Sequence, residues 1–237
     1  MLENSIAAAR ARHARILLPG TVYNYGPDAF PDIDEDAPQN PRTVKGGIRV
    51  EMERRLRRLA ASGEGQVLIV RAGDYFGPDA GNNWFSQGLI GRGSRGPVIT
   101  EPGRAGIGHQ WAYLPDVAEV MARLVERDDL ADFATFHMAG HWDADGTAMI
   151  GAIVRALGAP APRIRPMPWT VMRLAAPFVP LLKELAEMRY LWDRPVRLTN
   201  DRLLSILGTE PRTPIDEAVG RTLAAMGIGP DAGARLG

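Results

Sequence analysis

Residues 15–26 read RILLPGTVYNYG and residues 66–78 read QVLIVRAGDYFGP. Each stretch is an apolar run that ends in a glycine-containing loop carrying tyrosine. Gln66–Val70 is continuously apolar, as expected of a strand covered on both faces. Ile16–Leu18 is a shorter strand of the same kind. Between them, Thr43–Ala61 puts Ile48, Met52, Leu56 and Leu59 on one helical face and arginines opposite. Strand, helix and strand in this order predict a parallel pair. The pattern extends outward to a helix over Leu2–His13, a helix over Pro115–Arg127 and a third strand over Ala134–Met138. The expected fold class is therefore α/β with a parallel sheet. Residues 22–41 are irregular and rich in Pro, Asp and Asn. Beyond the third strand the spacing predicts helices over Ala148–Leu157, Leu181–Leu191, Asp201–Leu207 (ended by Gly208) and Pro214–Met226. Residues 160–168 are proline-rich, and the Gly-rich end from Gly227 is expected to fray.

The chain has 237 residues, 45% hydrophobic and 24% charged, which suits one large domain or two small ones. Lys plus Arg and Asp plus Glu are 28 each, so no net field attracts nucleic acid or an anionic membrane, and neither is expected as a partner. Lys45 and Lys183 are the only lysines. The absence of Cys excludes disulfides, Cys-ligated zinc, Fe–S clusters and a thiol nucleophile. The N-terminal residues lack the apolar core of a signal peptide, and a cytoplasmic location is expected. The most apolar stretch, Trp169–Leu182, is interrupted by Arg173, Pro177 and Pro180. Residues 166–180 are expected in a core, because Arg173 and Lys183 break the apolar stripe.

Five segments follow one another in a telling order. They are Gly20–Gly26; Lys45–Arg49 with Glu53 four residues on; Arg71–Pro78; His109–Ala118; and Leu207–Gly208 with Glu210–Pro214. This order resembles the extended short-chain dehydrogenase/reductase family, also called the NAD-dependent epimerase/dehydratase family. The resemblance implies a Rossmann-like part at residues 1–77 and 109–139. Residues 78–108 and 140–237 would then form a smaller substrate-binding part. It further implies NAD or NADP as cofactor and a sugar-like or other small hydroxyl/carbonyl substrate. A homodimer through helices 2–13 and 43–61 would follow the family's habit. Thr21 falls at the family's substrate-orienting hydroxyl. Lys45 and Arg49 fall at its Tyr-x-x-x-Lys pair, so Thr21, Lys45 and Arg49 are the expected catalytic and cofactor-contacting residues. Asp74 falls at a substrate-contacting Asn. Tyr23 and Tyr25 lie just past Thr21, and Trp84 lies in the stretch that builds part of the family's substrate pocket. No metal site is expected.

Two departures qualify the resemblance. The Gly-rich turn that seats a dinucleotide pyrophosphate is lacking. The chain opens at what would be the helix before the fifth strand, some ~80 residues into the family's length at ~30 residues per βαβ unit. Gly91–Gly96 matches G-x-G-x-x-G but reads as a turn, since a helical pattern precedes it and an extended segment follows. The second departure is Lys45-x-x-x-Arg49 itself. An i, i+4 pair shares one helix face. A partly buried Lys45 beside Arg49 is expected to have lowered proton affinity and to act as acid/base. The alternatives are a non-catalytic dinucleotide-sensing or scaffold protein, or an inactive fragment. Glu53 is expected to support its helix through i, i+4 pairing. Asp116 is expected at a helix N-terminus. His109, Trp111 and Tyr113 alternate and share a strand face, read as a satisfied core face ahead of a cleft lining. His137 and His141 fall on a strand and loop, which does not favour a shared metal.

Overall fold

The computed structural model describes residues 1–81, 83–93 and 96–228. The helices are α1 (Leu2–Arg12), α2 (Val44–Ala61), α3 (Leu114–Val125), α4 (Ala148–Leu157), α5 (Trp169–Ala175), α6 (Pro180–Glu187), α7 (Asp201–Leu207) and α8 (Ile215–Ala225). The strands are β1 (Arg15–Thr21), β2 (Asp32–Ile33), β3 (Gln66–Ala72), β4 (Asp74–Phe76), β5 (Ile90–Gly93), β6 (Gly96–Glu101), β7 (His109–Tyr113), β8 (Phe133–His137), β9 (His141–Asp143), β10 (Arg163–Pro166) and β11 (Arg197–Leu198).

The three strands expected from sequence form one parallel sheet in the order β1-β3-β8. Its central strand shows why Gln66–Val70 is apolar throughout. Val67 and Ile69 pack on Ile6, Ala9, Leu56 and Leu59 of α1 and α2. Leu68 and Val70 face the other way, onto Val117, Val120 and Leu124 of α3. Thr43 caps α2, its Oγ1 accepting from Gly46 N at 3.0 Å. β1 is an edge among the described strands, and Leu17 on it is 36% exposed.

Beyond β3 the chain builds three small sheets: β4-β7-β9, β10-β6-β5 and β11-β2. They surround the largest apolar cluster, which takes in Phe76, Trp84, Phe85, Trp111, Met149, Ile153, Leu191 and Trp192. Gly73 joins β3 to β4 where the backbone runs against β7. A Cβ there would lie 2.2 Å from the Gln110 carbonyl, so glycine is required.

As expected of a turn rather than a dinucleotide loop, Gly91, Arg92, Gly93 and Gly96 belong to the antiparallel pair β5–β6; residues 94 and 95 lie outside the described residues. Other expectations are corrected. The segment expected as one helix over Leu181–Leu191 is α6 followed by a 3-10 turn over Met188–Leu191. Trp84–Leu89 is π-helical, capped by the Asn83 side chain, which accepts from Ser86 N at 2.8 Å. The segment expected in a core is largely outside it: Val171, Leu174 and Phe178 are 64%, 71% and 85% exposed. Only Met172 of α5 is buried. Helices this short present one narrow face inward, and the rest of their apolar residues stay in solvent. Among the described residues no helix is long and apolar enough to cross a membrane.

Candidate active site

The C-terminal ends of β1 and β3 bring three of the expected residues together. β1 ends at Thr21, whose Oγ1 accepts from Tyr23 N at 3.3 Å and starts a 3-10 turn over Val22–Asn24. That turn delivers the Tyr23 hydroxyl to Asp74 Oδ1 at 2.7 Å. Asp74 opens β4, and its Oδ2 meets His109 Nε2 on β7 at 2.8 Å. The Trp84 indole also faces the Tyr23 hydroxyl. Asp74 and His109 are buried. Burial and the Asp74 carboxylate hold the Tyr23 hydroxyl well above its ordinary pKa. Tyr23 therefore keeps its proton and donates it to Asp74, rather than acting as a base.

A carboxylate only accepts, so His109 must carry its proton on Nε2. The other ring nitrogen, Nδ1, is then an acceptor in the neutral ring. It is buried and has no partner among the described residues. This corrects the satisfied core face expected for His109. Trp111 and Tyr113 are buried as that expectation required. The His109 ring stacks on Trp192, with centroids 3.6 Å apart and planes at 10°. Nothing in the sequence signals Trp192, since it lies 83 positions from His109 and only tertiary packing pairs the rings.

Arg49 is half-buried and makes no ion pair or hydrogen bond among the described residues. Its guanidinium acts on the Tyr75 phenol, whose hydroxyl donates to the Gly20 carbonyl beside Thr21. Burial pushes the Tyr75 phenol up, and Arg49 partly offsets this. Lys45 departs from its expected surroundings. Its side chain is 50% exposed and pairs with Glu184 of α6, Nζ to Oε2 at 2.8 Å.

A second, fully buried polar cluster lies behind this chain. Arg71, with no exposed surface, makes a two-point contact with Glu53 of α2, Nε to Oε1 at 3.0 Å and Nη2 to Oε2 at 2.5 Å. Arg71 Nη1 donates to the Tyr25 hydroxyl at 2.9 Å, and that hydroxyl lies 2.8 Å from His137 Nε2. Gly20 sits opposite Arg71 in the β1–β3 ladder, and a Cβ there would come within 2.5 Å of Arg71 Cγ. Glu53 is thus an inter-element anchor, not the expected i, i+4 partner. Tyr25 is consumed by the same cluster. His137 Nδ1 faces the Ile33 carbonyl at 3.2 Å, so both ring nitrogens are engaged. Asp116, in the first turn of α3, binds Thr213 N at 2.8 Å and Thr213 Oγ1 at 2.7 Å, tying down the C-terminal segment.

Among the described residues no strand end forms a cradle for a dinucleotide pyrophosphate. β1 runs into a 3-10 turn, β3 into β4 and β8 into β9. None of the three passes through a glycine-rich turn into a helix N-terminus, as that cradle requires.

A parallel sheet with a hydrogen-bonded Tyr–Asp–His chain at the C-terminal ends of its strands defines an α/β protein with a Rossmann-like site at the strand ends. The sequence profile of the NAD dependent epimerase/dehydratase family matches residues 2–137, and the chain belongs to this family. Solved structures of the same fold include a UDP-galactose 4-epimerase, 17% identical, with a TM-score of 0.62 over 100% of this chain and 69% of that one. Another is MoeE5 in complex with UDP-glucuronic acid and NAD, 16% identical, with a TM-score of 0.71 over 95% of this chain and 69% of that one. A third is RMD from Pseudomonas aeruginosa complexed with NADPH, 16% identical, with a TM-score of 0.67 over 99% of this chain and 71% of that one. No curated protein matches the chain by sequence.

Proposed function

We propose that this chain carries the substrate side of a nicotinamide-dependent oxidoreductase or epimerase acting on a sugar-like or other small hydroxyl/carbonyl compound. The observation that carries this reading is the Tyr23–Asp74–His109 chain beside Thr21 and Arg49. It places a held proton, a fixed carboxylate and an open imidazole nitrogen at the strand ends where α/β proteins bind ligands. When bound, NAD or NADP would supply the hydride chemistry. The family match and the dinucleotide complexes among structures of this fold support that choice. Thr21 orients the substrate oxygen, Asp74 fixes the His109 tautomer, and Arg49 faces the cofactor's ribose end. Lys45, held by Glu184, stands at the rim rather than in the chemistry. A cytoplasmic location is part of this reading.

The test is hydride transfer from NADH or NADPH to a panel of small carbonyl compounds, followed by nicotinamide absorbance. Turnover that falls about a hundredfold in Thr21→Ala is the expected result. A second reading, a dinucleotide-sensing or scaffold protein, is favoured by Lys45 and Arg49 standing where the family's Tyr-x-x-x-Lys pair falls, and by the pairing of Lys45 with Glu184. Calorimetric binding of NADH without turnover on any carbonyl would replace the first reading with the second.

The proposal includes a homodimer through α1 and α2. Leu2, Val44, Ile48 and Met52 line a shallow groove there, with Val44 and Ile48 71% and 56% exposed. Light scattering should give a dimer mass for the wild type and a monomer mass for Ile48→Glu. A wild-type monomer at high concentration rules the interface out.

A further inference from the structure

The side of α5 that turns away from the core is apolar. Val171, Leu174 and Phe178 recur at i, i+3 and i+7, so they share one side of a helical path. Backbone bonds carry that path past the end of α5. Ala176 N donates to the Met172 carbonyl at 2.9 Å, and Phe178 N to the Ala175 carbonyl at 3.0 Å. Met172 is buried on the other side. Val179 follows at the turn into α6 and is also exposed. The stretch is anchored rather than loose. Trp169, which opens α5, donates its indole N–H to the Pro102 carbonyl at 2.9 Å and packs on Trp84, with ring centroids 6.2 Å apart. A contiguous apolar face held outside the core in this way marks an interaction surface.

The charges around that face have one sign. Between Asp145 and Glu184 the sequence holds no acidic residue, and its cations are Arg155, Arg163, Arg165, Arg173 and Lys183. Arg155 is paired with Asp216. The other four are exposed, and none makes a side-chain ion pair or hydrogen bond among the described residues. Arg163 and Arg165 lie on β10, Arg173 on α5 and Lys183 on α6. The acidic residues of α6 offset them little: Glu184 is held by Lys45, and half-buried Glu187 lies at the end of α6 away from the turn. The chain's zero net charge, on which the expectation of no membrane partner rested, averages this local excess away.

We propose that the α5–α6 hairpin docks this protein on an anionic lipid surface. Leu174, Phe178 and Val179 enter the acyl boundary, while Arg173 and Lys183 meet the headgroups. Apolar side chains flanked by free cations are the combination that binds such an interface, because burial of apolar area and attraction to anionic headgroups add. A second copy of this chain fits the face poorly, since a two-fold contact would set the same unpaired cations against one another. The inference is independent of the hydride-transfer reading.

The test is co-sedimentation of the full chain with vesicles, without dinucleotide. One set is phosphatidylcholine alone, and the other carries about one third phosphatidylglycerol. The wild type is expected to bind the anionic vesicles at least about tenfold more strongly, and less so as salt is raised. Leu174→Ser with Phe178→Ser removes apolar surface without adding charge and should weaken that binding about tenfold. Arg173→Gln with Lys183→Gln should weaken it by about tenfold as well. All four positions are exposed, so the urea midpoints should match the wild type, which separates lost binding from lost folding. No wild-type binding to anionic vesicles, equal binding to both vesicle sets, or wild-type binding by either double variant would each overturn the proposal. A serine pair that turns a dimer into a monomer in light scattering would assign the face to a second copy and overturn it too.

Discussion

Glu53→Ala is expected to destabilise the protein by about 3–5 kcal/mol, measured as a fall in the urea midpoint at constant slope. The wild type removes the Arg71 guanidinium entirely from water and surrounds it with Glu53, the Tyr25 hydroxyl and His137. Removing Glu53 leaves that cation buried without a counter-charge and too far inside to be rehydrated. It also strips Asn24 Nδ2 of a partner at 2.8 Å. Typical domains have only about 5–15 kcal/mol in hand, so this one change brings the fold near its limit. Arg71→Met with Glu53→Leu should recover part of the loss, because neither charge then remains. A Glu53→Ala cost below about 1 kcal/mol would mean that water reaches Arg71.

Acid should destabilise the protein through His137. Burial, aided by the nearby Arg71 and Arg202 cations, lowers this imidazole to a pKa of about 3. In the unfolded chain it titrates near 6.5. Between those values the unfolded state binds a proton that the native state refuses. The contribution is fully present above about pH 6.5 and is lost as pH falls toward about 3, at about 1.4 kcal/mol per pH unit. From about pH 6.5 to about pH 4.5 that is about 3 kcal/mol. Glu35 opposes it. Burial raises its carboxyl above the ordinary value, so the native state holds that proton more readily. His137→Gln retains an acceptor for Tyr25 and Arg71 but cannot titrate. Its urea midpoint should start lower at neutral pH and fall less on acidification. A variant that tracks the wild-type slope would assign the proton to another group.

Both predictions concern residues whose importance was only half legible in the sequence. Arg71 ends an apolar strand and Glu53 sits on a helix, and spacing alone suggested a local partner for Glu53. Their pairing depends on the crossover from β1 through α2 to β3, which a sequence pattern does not measure in ångströms. The same holds for the site. Thr21, Tyr23 and Asp74 lie close to strand ends, so their nearness in sequence to β1 and β3 is legible, whereas the Tyr23–Asp74–His109 chain they enter is not. The partner of Lys45, Glu184, lies 139 positions away, so no local pattern reveals the pair.

The sequence by itself determined the parallel sheet, its three strands, the helices on either side and the order of motifs, because periodicity and strand-end loops are local properties. It also determined that thiol and Cys–metal chemistry are absent. Tertiary structure alone decided which polar groups lose water together. It joined Asp74 to His109, laid Trp192 on the imidazole, closed Arg71 into a dry cluster and left Phe178 outside. Each depends on segments far apart in the chain meeting at hydrogen-bond or van der Waals distance. Burial and charge pairing are set by that meeting and not by the residues' own types.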